Sequence, residues 1–378
     1  MNPSSEKRHA LVIGAGVSGL TTALCLRDRG ITSTVVAEKF SPQITSNVAG
    51  ALWEWPPAVC GYHHDEISLA RSKQWCMTSF RKFEALSALP DAGVYVRPVT
   101  FYFRNLIEEN DFHLTKMKEI EAQVPGFVRG TSLIEDNGVN PHIGLVDAYR
   151  HLAPMVDTDV YMKWLLLQVR SAGIEVIERK IEGDLRLIES ALKRAFDADV
   201  IVNCSGLGAR ELAGESMYPL RGAIIRLVND GTRMPKLTQA FCVSHDNVTS
   251  DQDIVFIVPR GEDRIVLGAI AEADQWETDI GLHNYEPVRR IYERCTEFLP
   301  MLKDAEIDPV EPVRVGLRPF RKGNVRLEQV PGTSVIHNYG HGGAGVTFSW
   351  GCAVEVADRV ADLFASGNSR FMDCSLVA

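Results

Sequence analysis

Gly14, Gly16 and Gly19 stand between a short apolar run, Ala10-Leu11-Val12-Ile13, and a stretch whose apolar residues fall at helical spacing. The chemistry of that spacing is the cradling of a pyrophosphate. The first glycine makes a tight turn, the second lets backbone approach the diphosphate, and the third lets helix pack on strand. Val17 and Ser18 would open the helix, whose free N–H groups carry a partial positive charge. A second β-type run, Thr32-Ser33-Thr34-Val35-Val36-Ala37, closes on Glu38, an acid placed to accept hydrogen bonds from a ribose. Strand, helix, strand and acid point to a dinucleotide and leave FAD and NAD both open.

A second constellation lies far downstream. In His337-Asn338-Tyr339-Gly340-His341-Gly342-Gly343-Ala344-Gly345-Val346-Thr347, glycines alternate with polar and aromatic residues directly before a helical pattern. Glycines there remove side chains where a planar ring must lie against backbone. The helix N-terminus following them suits the edge of a flavin that becomes anionic on reduction, and Thr347 could add a hydroxyl donor. Between the two motifs, Arg314, Arg318, Arg321 and Arg326 form a basic segment. A guanidinium holds a carboxylate by two parallel charge-assisted bonds, but such a segment can equally be solvated.

These residues need elements to hold them. A helix is expected over 161–170, a strand over 175–177, a buried strand over 198–203, a strand over 335–339 and a closing helix over about 346–364. Residues 61–155 differ, with Pro-punctuated strands at 94–96 and 100–103 and a charged helix near 108–122. Strands recur at 223–227, 254–258 and 265–268. The pattern predicts an α/β fold, a Rossmann-like nucleotide domain interleaved with a strand-rich α+β substrate domain. The nucleotide domain is assigned to 1–58, 156–218 and 311–378, the substrate domain to 59–155 and 219–310.

Composition narrows the function. The 378 residues are 45% hydrophobic and 24% charged, as expected for a globular chain with a large core. A net charge of −9 disfavours nucleic acid and anionic membrane as partners. No apolar run approaches the roughly 18–20 residues of a membrane span, the first apolar run is too short for a signal peptide, and Ser375-Leu376-Val377-Ala378 is not an S-K-L-type address. A cytoplasmic location is expected. The eight cysteines are scattered without C-x-x-C or zinc spacing, so they read as buried thiols and no metal is expected. Tyr62-His63-His64-Asp65 reads as a solvated loop.

The stretch Val335-Ile336-His337-Asn338-Tyr339-Gly340-x-Gly342-Gly343-x-Gly345, continued by Gly351-x-Ala353, resembles the signature of the D-amino-acid oxidase family. Asn47-Val48-Ala49-Gly50-Ala51-Leu52-Trp53 is similar to that family's flavin-contacting segment. Asp199-Val200-Ile201-Val202-Asn203-Cys204-Ser205-Gly206 resembles its second wall, and Gly316-Leu317-Arg318-Pro319-Phe320-Arg321 its substrate-arginine segment. The motifs run from residue 11 to 353, while 61–155 match poorly. The resemblance implies FAD, a small amino acid or amine substrate, and hydride transfer from its Cα–H to flavin N5. The imine product hydrolyses to a 2-oxo acid and ammonia, and O2 reoxidises the flavin to give H2O2. No side-chain base is required; the protein orients and stabilises charge.

By position, the resemblance puts Glu38 and Lys39 at the adenosine, Thr45 and Ser46 near phosphate, and Ile181 at the adenine. Ala49, Gly50, Ala51 and Leu52 line the flavin ring, Ser205 and Gly206 its other wall, and Gly342, Gly343, Gly345, Val346 and Thr347 complete the site. Arg318 takes the substrate carboxylate and the Gly343 carbonyl its ammonium. The family's two pocket tyrosines correspond here to Gln252 and Phe256; His245, Glu54 and Trp55 are further candidates for the pocket. These departures predict a substrate bulkier or less usual than D-alanine, with glycine, a secondary amine or a specialised metabolite as the alternative. An FAD-stabilised binding protein is the non-enzymatic alternative.

Overall fold

The computed structural model describes residues 8–57, 65–243 and 254–372, with side chains to residue 365. The chain opens with β1 (His9–Ile13), α1 (Val17–Asp28), β2 (Thr32–Ala37), the single turn α2 (Thr45–Val48) and the long α3 (Glu66–Leu86). There follow β3 (Val94–Phe103), α4 (Asp111–Gln123), β4 (Val128–Arg129), α5 (Ser132–Asp136) and β5 (Asp147–Val156). Next come α6 (Thr158–Ser171), β6 (Glu175–Glu178), α7 (Leu185–Ala195), β7 (Val200–Asn203) and α8 (Ala209–Leu212). Strands β8 (Met217–Val228), β9 (Ala240–Val243), β10 (Phe256–Arg260), β11 (Arg264–Gly268) and β12 (Glu272–Ala273) precede α9 (Glu286–Phe298). The chain closes with β13 (Val313–Arg321), β14 (Arg326–Gln329), β15 (Val335–Tyr339) and α10 (Gly345–Met372).

Two sheets organise these elements. The first has six strands in the order β14-β15-β7-β1-β2-β6, parallel apart from β14. Its central strands are continuous apolar runs because helices cover both faces; Ala10, Leu11 and Val12 are wholly buried. α1 is buried nearly all round as far as Leu26 and lies against β2, α6 and α10. The strand order reverses between β1's two neighbours, which opens a crevice beyond their carboxyl ends. The second sheet has nine strands, in the order β12-β8-β11-β10-β9-β3-β5-β4 with β13 also on β8.

Three expectations change. The stretches 94–96 and 100–103 are one strand, β3, uninterrupted by Pro98. Pro98 lies opposite Leu152 of β5 and just before Val99, where β9 starts to pair on the other side; a missing N–H is tolerated where a strand has one neighbour. β13, placed by sequence in the nucleotide domain from 311 onward, pairs along β8 from Val313↔Ile225 to Arg321↔Met217. It therefore belongs to the larger sheet. Finally α3, within the expected insertion, packs on α10. A Cβ at Gly351 would collide with the Trp75 backbone, so only glycine permits that approach.

Candidate active site

A cavity of about 1270 Å3 runs along the crevice of the first sheet and ends under the second. Ordinary small-molecule pockets occupy about 300–1,000 Å3, so this one has room for a cofactor and a substrate together. At one end Gly14, Gly16, Val17 and Ser18 line it. Gly14 adopts φ +113°, and a Cβ there would strike the Cys204 carbonyl. Gly19 does not line the cavity; a Cβ on it would strike the Gly14 carbonyl, so it brings α1 down onto the loop. No acidic residue stands in the first turn of α1 and no side chain caps Gly16. Ser46 Oγ accepts from Val17 N at 3.0 Å. Beyond that bond the positive end of the helix meets no acid in its first turn and faces the cavity, where it suits an anion.

Glu38 and Lys39, exposed at the end of β2, line the same end with Ile181. Arg179 and Lys180 join them, unforeseen because two basic residues after a short strand read as solvated surface. Further along come Thr45 and Ser46, then 49–52. This segment is tied down on several sides. Ala51 holds φ +54°, a strained value for a residue with a Cβ, and its carbonyl accepts from Val156 N at 3.0 Å. Thr158 Oγ1 donates to the Asn47 carbonyl at 2.7 Å. Opposite, Asn203 Oδ1 accepts from Ser205 N and Oγ, at 3.2 and 2.6 Å. That turn presents Ser205 and Gly206 to the cavity.

The glycine-rich loop before α10 supplies Gly342, Gly343, Gly345 and Val346. Thr347, next to Val346, is buried. His341 is the neighbour that sequence reasoning passed over. Asn338 Nδ2 donates to Thr22 Oγ1, which turns Oδ1 toward His341 Nε2 at 3.0 Å. Burial pushes the imidazole pKa down to about 4, so at neutral pH it is an uncharged donor to Asn338.

At the far end Arg318, on β13, is half-buried and lines the cavity. Its Nη1 donates to the Ile270 carbonyl at 3.2 Å, and no carboxylate among the described residues pairs with it. The guanidinium lies flat on Gly222 of β8. Phe256 packs its ring over Gly50, and Leu52, Phe101 and Ile224 extend the apolar surface. Gln252 and His245 lie outside the described residues. Trp55 is a correction: it is 3% exposed, away from the cavity, with its indole donating to Glu119 Oε2 at 2.8 Å. Successive side chains of an extended segment alternate, so Leu52 and Glu54 face the cavity while Trp53 and Trp55 face the core. Lys116 of α4 meets Glu54 there at 2.9 Å, the two side chains being 10% and 17% exposed. A single lysine on a polar helix carries no sequence signal.

No group of three metal-binding side chains occurs among the described residues, and none of their helices is long and apolar enough to cross a membrane. A helix N-terminus at a glycine turn, an acid at the end of β2 and a glycine-rich wall share one crevice with an arginine that has no carboxylate partner among the described residues, an arrangement that suits a flavin-dependent oxidoreductase. The chain belongs to the DAO family, FAD dependent oxidoreductases, whose pattern it matches over residues 9–359. It is 36% identical over 353 residues to the D-amino-acid oxidase of Rubrobacter xylanophilus, covering 92% of this chain and 94% of that one. It is 34% identical over 356 residues to the D-amino-acid oxidase of Streptomyces coelicolor, covering 92% and 95%. Among solved structures, glycine oxidase from Bacillus cereus has the same fold, with TM-score 0.73 and 17% identity over 94% of this chain and 95% of that one. The protein is an enzyme and FAD is its cofactor.

Proposed function

We propose that the protein oxidises a D-amino acid with a neutral apolar side chain larger than methyl, yielding a 2-oxo acid, ammonia and H2O2. The observation that carries this reading is Arg318, a guanidinium without a carboxylate partner among the described residues, lining the same cavity as the glycine-rich turns. When bound, FAD supplies a hydride acceptor for the substrate Cα and a route for the electrons to O2. The chain's own residues do the rest. Arg318 grips the substrate carboxylate in a fork, the Gly343 carbonyl accepts from its ammonium, and the apolar wall excludes water. Two relatives named D-amino-acid oxidase support the D configuration.

Side-chain preference follows from Phe256 and the Glu54–Lys116 pair. Phe256 has no hydroxyl to donate to a carboxylate, and one such bond is worth about 1.5–3 kcal/mol, or roughly ten- to a hundredfold in rate. A small substrate lacks compensation; a larger one buries apolar area against Phe256, Leu52 and Phe101 at about 25 cal/mol per Å2. The ion pair neutralises the polar corner, so a charged side chain finds no free counterion. The test is anaerobic bleaching of the flavin by a panel of D- and L-amino acids, glycine and secondary amines. Larger apolar D-amino acids should bleach it fastest and D-alanine slowly. Bleaching by glycine or secondary amines but by no D-amino acid would move the assignment to the second reading. Phe256→Tyr should raise turnover of D-alanine; failure to do so would refute the account of its discrimination.

A further inference from the structure

Arg260 closes β10 at 5% exposure, and its guanidinium is placed without a direct acidic partner among the described residues. Nη2 donates to the carbonyls of Ala49 at 2.7 Å and Gly50 at 3.2 Å, and Nη1 donates to Thr158 Oγ1. Asp157 and Asp159 act on it only through space, while Arg314 and Arg226 repel it. Burying a guanidinium is costly, and here desolvation pulls its pKa down to about 10. A charge held at such cost and directed at two successive backbone carbonyls needs an explanation beyond packing.

The peptides carrying those carbonyls are trans, since neither is among the cis bonds. In a trans peptide the N–H points opposite to the C=O. The amides of Gly50 and Ala51 therefore face away from Arg260, and neither has a backbone acceptor among the described residues. Both residues line the cavity. Ala51 keeps its left-handed backbone there, with its own carbonyl fixed to Val156.

We propose that Arg260 is a positioning residue for the cofactor: by gripping the Ala49 and Gly50 carbonyls it fixes and polarises the Gly50 and Ala51 amides as donors toward the flavin. A guanidinium on the carbonyl end makes the amide end a better donor, because hydrogen bonds in a low-dielectric site polarise one another. Donors aimed at a ring that gains negative charge on reduction stabilise the reduced form more than the oxidised one. The proposal is independent of which substrate is oxidised.

The experiment uses the FAD-loaded protein and its apoprotein, without substrate. FAD affinity is measured by titration of the apoprotein, the flavin midpoint potential by equilibration with redox dyes, and stability by thermal melting, for wild type, Arg260→Met and Arg260→Lys. Arg260→Met should bind FAD about tenfold more weakly and favour the reduced flavin about tenfold less, a potential lower by about 30 mV for a two-electron couple. Arg260→Lys, whose single ammonium cannot span both carbonyls as the fork does, should fall between the two. A wild-type potential in Arg260→Met, even with a lowered melting temperature, would show that Arg260 only braces the fold and would overturn the proposal. Should Arg260→Met not fold, Arg260→Lys decides: a lowered potential supports the proposal and a wild-type potential overturns it.

Discussion

Gly222→Ala is the sharpest test of the role proposed for Arg318, because it displaces the guanidinium without changing its chemistry. Gly222 lies in β8 opposite Gly316, and a Cβ there would sit 2.5 Å from Arg318 Cζ and Nη2. Carbon contacts are comfortable at about 3.5–4.0 Å, so the guanidinium must move by about 1 Å. It is the free end of a long side chain, so folding should suffer little, and exchanging glycine for alanine inside a strand removes a penalty of about 0.5–1 kcal/mol. The site is less forgiving: a misplacement of about 1 Å can cost about a hundredfold in rate. The expected result is an unchanged flavin spectrum, an unchanged or slightly raised melting temperature, and kcat/KM lowered by about ten- to a hundredfold. Arg318→Ala should cost about 2–5 kcal/mol, or roughly thirty- to several-thousandfold in kcat/KM. Steady-state kinetics on both variants and on the double mutant complete the cycle. Residues acting through one contact are not additive, so Gly222→Ala should add nothing once Arg318 is alanine. A wild-type kcat/KM in Gly222→Ala, or a penalty that persists in the double mutant, would refute this reasoning.

Denaturation should release all the FAD into the supernatant: among the described residues Cys204 and Cys242 line the cavity, but burial pushes their thiols up, that of Cys204 to about 12, so neither is the thiolate that attachment of the cofactor needs. Flavin that stays with the precipitated chain would contradict this. Lys116→Met should release the Glu54 carboxylate from its partner and raise the kcat/KM ratio of D-arginine to D-leucine; an unchanged ratio would mean the pair does not face the substrate. Acid should destabilise the apoprotein through His151 and His341, whose pKa values burial lowers from 6.5 to about 4. Both stay neutral in the folded chain but take up protons in the unfolded one, so their contribution is whole above about pH 6.5 and lost by about pH 4, up to about 3 kcal/mol each. Melting curves across that range should fall less steeply for His341→Gln than for wild type; parallel curves would exclude His341.

The nucleotide half was legible because its information is local. Gly14, Gly16, Gly19 and Glu38 form one βαβ unit, and each residue type is dictated by a turn, a contact or a helix end within that unit. The larger sheet hides its order, since antiparallel partners such as β8 and β13 are far apart in sequence and many registers satisfy the same alternation. That is why the strand carrying Arg318 was grouped with its sequence neighbours rather than with β8. Trp55 failed by parity. The alternation from Leu52 to Trp55 is plain in extended backbone, but which parity faces the cavity depends on the bridge of Leu52 to Met155. Arg260 and Lys116 were invisible for another reason: their types are the commonest on surfaces, and only tertiary packing brings them inside.

The division of labour between the sheets has a consequence for how specificity can change. Ends of the six-stranded sheet and its loops form the glycine-rich part of the cavity wall, whereas Arg318, Phe256 and Ile224 stand on strands of the nine-stranded sheet. One hydrophobic core joins them: Val12 and Val202 belong to the same buried cluster as Phe101, Ile224 and Val258. Bodies sharing a close-packed core do not slide past one another at small cost, so opening a hinge between the sheets is a poor way to admit a different substrate. Exchange of side chains at the strand positions facing the cavity leaves that core intact. Phe256, at one such position, and Glu54 with Lys116, where the chain leaves residues 49–52, are places where such exchanges would act. The flavin cradle, bound by Gly14, Gly206 and Gly342 at positive φ, has no equivalent freedom, since side chains are strained in that backbone. Cofactor and substrate pocket therefore answer to different physical constraints within a single cavity.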